Sequence, residues 1–226
     1  MPGREIPLVT GEIYHIINRG LTAQTIFSCP RHYQRSFELM LYYQNQNPPL
    51  RYSYFSALTS SVKEEKLNQL RNNKEILVEI FAYCFMPNHF HFLLKQMVDN
   101  GISNFLSKFS NSYTRYFNTK HKRIGPLFQG KFKSVLVSNE QQLIHLSRYI
   151  HLNPYSSGIV KSLKNLSQYT YSSFPEYLGL TNNSICQKDM ILDYFKKKNS
   201  YHDFVFDQAV IQRELDIIKH STLEEN

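Results

Sequence analysis

Apolar and polar positions recur along this chain with two periods, one near two residues and one near three and a half. Residues 11–18 (GEIYHIIN) are β-branched and aromatic and are closed by Gly20, which predicts a first strand. Pro30 can open a helix over residues 30–44, with Phe37 and Leu41 on its buried stripe. Residues 45–56 contain a Pro-Pro pair among amides and predict a loop. Residues 60–73 (SSVKEEKLNQLRNN) predict a helix capped by Ser60 or Ser61, with Glu64 and Glu65 close behind. Residues 76–85 and 89–95 are both apolar and are joined by Met86-Pro87-Asn88, which predicts a hairpin. Over residues 102–117 the apolar side chains Ile102, Phe105, Leu106, Phe109, Tyr113, Tyr116 and Phe117 return at helical spacing. Residues 131–138 (KFKSVLVS) read as a strand again. Asn139 can then cap a helix over residues 140–152, stopped by Pro154.

The order strand, helix, hairpin, helix, strand, helix predicts an α+β fold, a ferredoxin-like antiparallel sheet with helices packed mainly on one face. The main domain is expected over residues 8–180, with a helical insertion at about 56–74. Beyond it the pattern weakens, and residues 181–226, including Lys196-Lys197-Lys198, read as a basic and helical C-terminal extension. No internal repeat is visible.

Composition narrows the class. The chain has 226 residues, 19% charged and 14% aromatic, a globular and not a disordered composition. A net charge of +8 favours an anionic partner, with nucleic acid first and a membrane surface second. Cys29, Cys84 and Cys186 are far apart and form no CxxC pair, so neither a zinc site nor a disulfide framework is indicated. The N-terminus lacks a signal-peptide core and no stretch approaches a membrane span, so the expected location is cytoplasmic, with no membrane partner.

The candidate chemistry begins at His89-Phe90-His91. In a strand, alternate side chains face opposite ways, so the histidines share one face and Phe90 and Phe92 the other. Two imidazoles about 7 Å apart along a strand can converge on one divalent ion. Such pairs are also common as plain surface or core residues. A second constellation lies on the helix of residues 140–152, where Gln142, His145, Tyr149 and Asn153 fall on one stripe beside the apolar stripe of Leu143, Leu146 and Ile150. Asn153 precedes Pro154, so that stripe is expected to bend at its last member. His151 is out of phase with Tyr149 and should face elsewhere; Tyr113 and Tyr116 read as core.

Four blocks, MPNHFHFLL at 86–94, GPLFQGKFKS at 125–134, RYIHLNP at 148–154 and YSSFPEYLG at 171–179, together resemble the single-tyrosine HUH transposases, in particular their REP-associated branch. The resemblance spans about residues 10–180. It implies that His89 and His91 are the HUH metal ligands, that Tyr149 is the nucleophile, and that Asn153 is a third ligand or a partner of the metal site. Some relatives have Gln there, one methylene longer. The implied cofactor is Mg²⁺ or Mn²⁺. The implied reaction is attack of Tyr149 on a phosphodiester, giving a 5′-phosphotyrosine and a free 3′-hydroxyl, with rejoining by reversal. The implied partners are single-stranded or hairpin, REP-like DNA, with the protein a monomer or a homodimer that swaps the tyrosine helix.

DNA contacts are expected from Lys120, Lys122, Arg123, Lys131 and Lys133, with Arg19, Arg115 and Arg148 behind them, and base stacking from Phe128 or Phe132. Two other functions fit the bulk features: a non-catalytic nucleic-acid-binding module, and a metal-dependent nuclease that hydrolyses through water.

Overall fold

The computed structural model describes residues 7–181, 185–195 and 200–215; the Lys196–Lys198 run lies outside them. The order of elements is β1 (Ile13–Arg19), α1 (Pro30–Tyr43), α2 (Tyr52–Ala57), α3 (Ser60–Arg71), β2 (Val78–Met86), β3 (His89–Gln96), α4 (Gly101–His121), β4 (Lys133–Leu136), α5 (Glu140–Ser156), and then short helices α6 (Phe174–Tyr177), α7 (Asp189–Leu192) and α8 (Tyr201–Phe206). The strands form one antiparallel sheet in the order β2-β3-β1-β4. This is the α+β, ferredoxin-like arrangement that the alternation predicts.

The alternation of side chains along β2 and β3 splits the core in two. Phe85 pairs with Phe90 and Tyr83 with Phe92, so these four rings share a face. Phe105 and Phe109 of α4 pack on it, with ring centroids 5.4 Å (Phe90–Phe109) and 5.9 Å (Phe92–Phe105) apart. α1 lies beside α4 and adds Phe37 against Tyr83. Cys84, Met86, His89 and His91 face the other way, toward α5. The outer edge of β2 does not stay open: the amides of Phe85 and Ser173 bond across to Tyr171 and Tyr83, so the 171–173 segment covers it.

Three boundaries differ from the sequence reading for identifiable reasons. The expected loop at 45–56 holds α2, because Tyr52 and Phe55 gain burial against Tyr42, with the Phe55 ring 4.7 Å away. β4 is shorter than the strand-like run. Phe128 bridges to Gly20, and the chain then turns at Gly130, whose φ of 41° suits glycine, before pairing resumes at Lys133. α5 runs through Pro154 to Ser156. Proline lacks only the bond to the carbonyl of Ile150, and in the last turn the helix tolerates that loss. The N-terminal cap at Asn139 is as expected, its side chain accepting from the Gln142 amide at 2.8 Å.

His151 anchors α5 from behind. It is fully buried, with Nδ1 at 2.7 Å from the Tyr201 hydroxyl and Nε2 at 2.7 Å from Ser173 Oγ, and it faces away from Tyr149 as its phase requires. Burial lowers its pKa to about 3. The folded state therefore resists protonation of a ring that the unfolded chain protonates near pH 6.5. Stability is full above that value and is lost as pH falls toward 3. Between pH 7 and pH 4 this one residue is expected to remove about 3 kcal/mol. Urea unfolding at the two pH values measures it; His151→Gln should shrink the pH dependence, and an unchanged dependence would refute the assignment.

Among the described residues no helix is long and apolar enough to cross a membrane.

Candidate active site

The site is built where β3 and β1 lie side by side under α5. Ile17 pairs with His91 and Arg19 with His89, so His15, Ile17 and Arg19 project from the same sheet face as the two strand histidines. The His89 and His91 rings are 4.9 Å apart and nearly perpendicular. His89 is half-buried at the mouth of the hairpin, with Nδ1 at 2.6 Å from Asn88 Oδ1. His91 is buried, and its Nδ1 is 3.0 Å from His15 Nε2. Burial lowers the His15 pKa to about 4, so this ring is neutral at pH 7.

α5 crosses this face with Tyr149 pointing at the histidines. The tyrosine ring meets His91 edge-on at 5.8 Å and His15 at 6.0 Å. Asn153, one turn on, is buried, and its amide nitrogen donates to the Tyr149 carbonyl at 2.8 Å. The helix continues through Pro154 to Ser156, and with its amide nitrogen engaged Asn153 has its carbonyl oxygen left as the end that could ligate a cation. Gln212 donates to the same Tyr149 carbonyl at 3.1 Å, so the C-terminal segment braces α5 beside its tyrosine. Among the described residues no cluster of three or more His, Cys, Asp and Glu is arranged to hold a metal. The available donors are two imidazoles and an amide, which suits a divalent ion that fills its remaining positions with water and substrate oxygens.

The predicted cations separate into groups. Arg19 and Lys133 are exposed on strand positions that face the same way as His89 and His15, and Lys131 is exposed just before β4. Arg123 staples the loop after α4, its guanidinium bonding Asn118 Oδ1 at 2.9 Å and the Pro126 carbonyl at 3.1 Å. Lys122 is exposed at the end of α4. Arg148 lies over the Phe204 ring at 4.2 Å and bonds His145 at 2.7 Å. Arg115 and Lys120 line a groove of about 800 Å³ between α1, α2 and α4, together with Arg31, Arg35, Arg51 and Lys108. That groove lies on the helical side of the sheet, away from α5. Phe128 is buried against Phe90 and Tyr113, which removes it as a base-stacking surface. Tyr113 is core, donating to the Ile26 carbonyl at 2.6 Å.

Sequence reasoning passed over His15, Asn88 and the groove. Asn88 adjoins the triplet and its type was a signal. His15 carries none by itself, because only the β1–β3 register brings it to His91.

Residues 48–153, which include both histidines, Tyr149 and Asn153, match the family described as IS200-like transposase. The match covers just under half of the chain, and in it the chain is similar to that family. A solved structure described as the REP-associated tyrosine transposase bound to a REP hairpin superposes on this chain with a TM-score of 0.52, at 15% identity, covering 83% of this chain and 98% of the other. The two share the fold. No curated protein matches the chain by sequence.

Proposed function

We propose that this protein is a transposase that nicks and rejoins single-stranded or hairpin DNA of the REP type through Tyr149. The observation that carries the reading is the meeting, within one chain, of Tyr149 on α5 with His91 on β3, at 5.8 Å between rings. His89, His91 and Asn153 would hold a Mg²⁺ or Mn²⁺ ion, which would supply Lewis-acid polarisation of a phosphate oxygen. Tyr149 Oη attacks phosphorus in line, the Tyr–O–P bond forms and the P–O3′ bond breaks. The phenolic proton leaves to solvent, and the 3′ oxygen takes a proton from solvent as it departs as a hydroxyl. The bond energy stays in the phosphotyrosine, so a 3′-hydroxyl can reverse the step without ATP. In this reading residues 8–180 carry the chemistry and the segment from 181 braces α5.

The test is a denaturing gel of the protein incubated with labelled hairpin DNA and Mn²⁺. It is expected to give a covalent adduct whose peptide maps to Tyr149. Cleavage with no adduct would favour the hydrolytic nuclease instead, and binding with neither would favour the non-catalytic module.

The DNA backbone is assigned to two surfaces. Arg19, Lys131 and Lys133 flank the site, and the groove of Arg31, Arg35, Arg51, Lys108, Arg115 and Lys120 receives phosphates on the far side of the sheet. Arg35 lies over the Tyr116 ring at 4.8 Å, which holds its charge in the groove. Exposed Lys108 and Arg115 can be changed with little effect on packing. The double variant Lys108→Gln/Arg115→Gln is expected to lower the slope of log affinity against log salt by about 1.5, from two lost phosphate contacts. Filter binding of hairpin DNA across a salt series measures it, and an unchanged slope would remove the groove from the DNA path.

A further inference from the structure

The metal-ligand histidines of the proposed site each have a hydrogen-bond partner at Nδ1, and these partners decide which nitrogen carries the lone pair. For His89 the partner is Asn88, whose Oδ1 lies at 2.6 Å. The Asn88 amide nitrogen donates to the Ala23 carbonyl at 3.4 Å, so its oxygen is the end turned to His89. An amide oxygen can only accept. His89 is therefore held as the Nδ1–H tautomer, with its lone pair on Nε2.

For His91 the partner is His15, and the geometry of the pair is specific. The ring nitrogens are 3.0 Å apart. The ring centroids are 5.2 Å apart, with planes within 15° of parallel. The centroid separation exceeds the nitrogen separation by about two ring radii, so both nitrogens lie on the line joining the rings. Since each nitrogen lies in its own ring plane, the rings are edge to edge and close to coplanar, joined by a near-linear N–H···N bond. They are not stacked. Nor do the lone pairs converge on a third point, which is what two ligands of one ion would need, so His15 is not a third ligand.

Which ring donates is open to an imidazole in a way it is not to an amide. One ion shared with His89 Nε2 requires the lone pair of His91 on Nε2 as well, hence the proton on Nδ1. We propose that His15 is a positioning residue that accepts the Nδ1 proton of His91 and so locks it in the tautomer whose Nε2 binds a divalent cation. The inference rests on the reading of His91 as a ligand. His15 is suited to the task because β1 holds it rigidly: it is buried, paired in the sheet opposite Leu93, and packed edge-on against Tyr149 at 6.0 Å. The same ring thus touches both halves of the site, the strand histidine and the tyrosine.

Two variants separate the acceptor from the packing. His15→Phe keeps a flat ring in the sheet and removes the acceptor; His15→Gln keeps an acceptor oxygen. Mn²⁺ binding by calorimetry is expected to weaken about tenfold or more in His15→Phe and to return to within a few-fold of the parent in His15→Gln. Long-range ¹H–¹⁵N spectra of the metal-free full chain are expected to show His91 protonated at Nδ1 in the parent protein. The reverse hydrogen bond, with His15 donating, makes opposite predictions. His91 would be protonated at Nε2, and Mn²⁺ affinity would stay level or rise in His15→Phe; either result overturns the proposal. Failure of the underlying ligand reading looks different, because His89→Ala and His91→Ala would then bind Mn²⁺ as the parent does. The tautomer spectrum still decides the role of His15 in that case.

Discussion

Tyr149→Phe is expected to abolish the covalent protein–DNA adduct, by about a thousandfold or more, while the protein still folds and still binds hairpin DNA. The substitution removes one oxygen and keeps the ring. The edge-on contacts to His91 at 5.8 Å and His15 at 6.0 Å involve that ring and survive. The backbone bonds that Asn153 and Gln212 make to residue 149 go to its carbonyl and are untouched. A tyrosine hydroxyl, with a pKa of about 10 in water, is a weak nucleophile, and only its placement and an electrophilic phosphate make it useful. Tyr113 and Tyr201 are buried with their hydroxyls committed to the Ile26 carbonyl and to His151. The measurement is adduct yield on a denaturing gel, with circular dichroism as the check on folding. Strand cleavage persisting in the variant would show that water is the nucleophile and that the tyrosine is a wall of the site.

The parts of this arrangement that depend on local periodicity were legible in the chain. Alternation alone put His89 and His91 on one face and Phe90 and Phe92 on the other, and the sheet divides its core along that line. The helical stripe alone linked Tyr149 to Asn153 and set His151 apart, and His151 lies buried on the opposite side of α5. What was not legible depends on contacts distant in sequence. His15 is separated from His91 by 76 positions, and its role follows from strand register. The α2 helix arises from burial of Tyr52 and Phe55 against α1, which outweighs the loop-like Pro-Pro signal before it. The basic groove is assembled from three helices, so its cations are scattered from Arg31 to Lys120 and form no run. Arg123 and Arg148 illustrate the converse: both are cations near family blocks, and both are engaged in holding the protein's own loops and C-terminal segment.

Replacing either strand histidine is expected to eliminate cleavage and spare hairpin binding, but the two substitutions should differ in stability. His89 is half-buried at the strand end and bonds Asn88, a side chain that water can reach. His89→Ala should therefore lose adduct formation by about a hundredfold or more, from the missing ligand, with little change in unfolding midpoint. His91 is only 3% exposed, and its removal strands the Nε2 of His15 in the core. An unmatched buried polar atom costs about 1–3 kcal/mol, and the cavity left by an imidazole adds to that. His91→Ala should thus lose cleavage to the same degree and also melt at a lower temperature. Thermal unfolding alongside Mn²⁺-dependent adduct assays separates the two effects. Binding of hairpin DNA should stay within about threefold of the parent in both variants, because the phosphate contacts assigned to Lys108, Arg115 and their neighbours lie on the other side of the sheet and those assigned to Arg19, Lys131 and Lys133 keep their side chains. Loss of hairpin binding in His89→Ala, at an unchanged melting temperature, would mean that the histidines touch DNA directly and that the division between binding and chemistry is wrong.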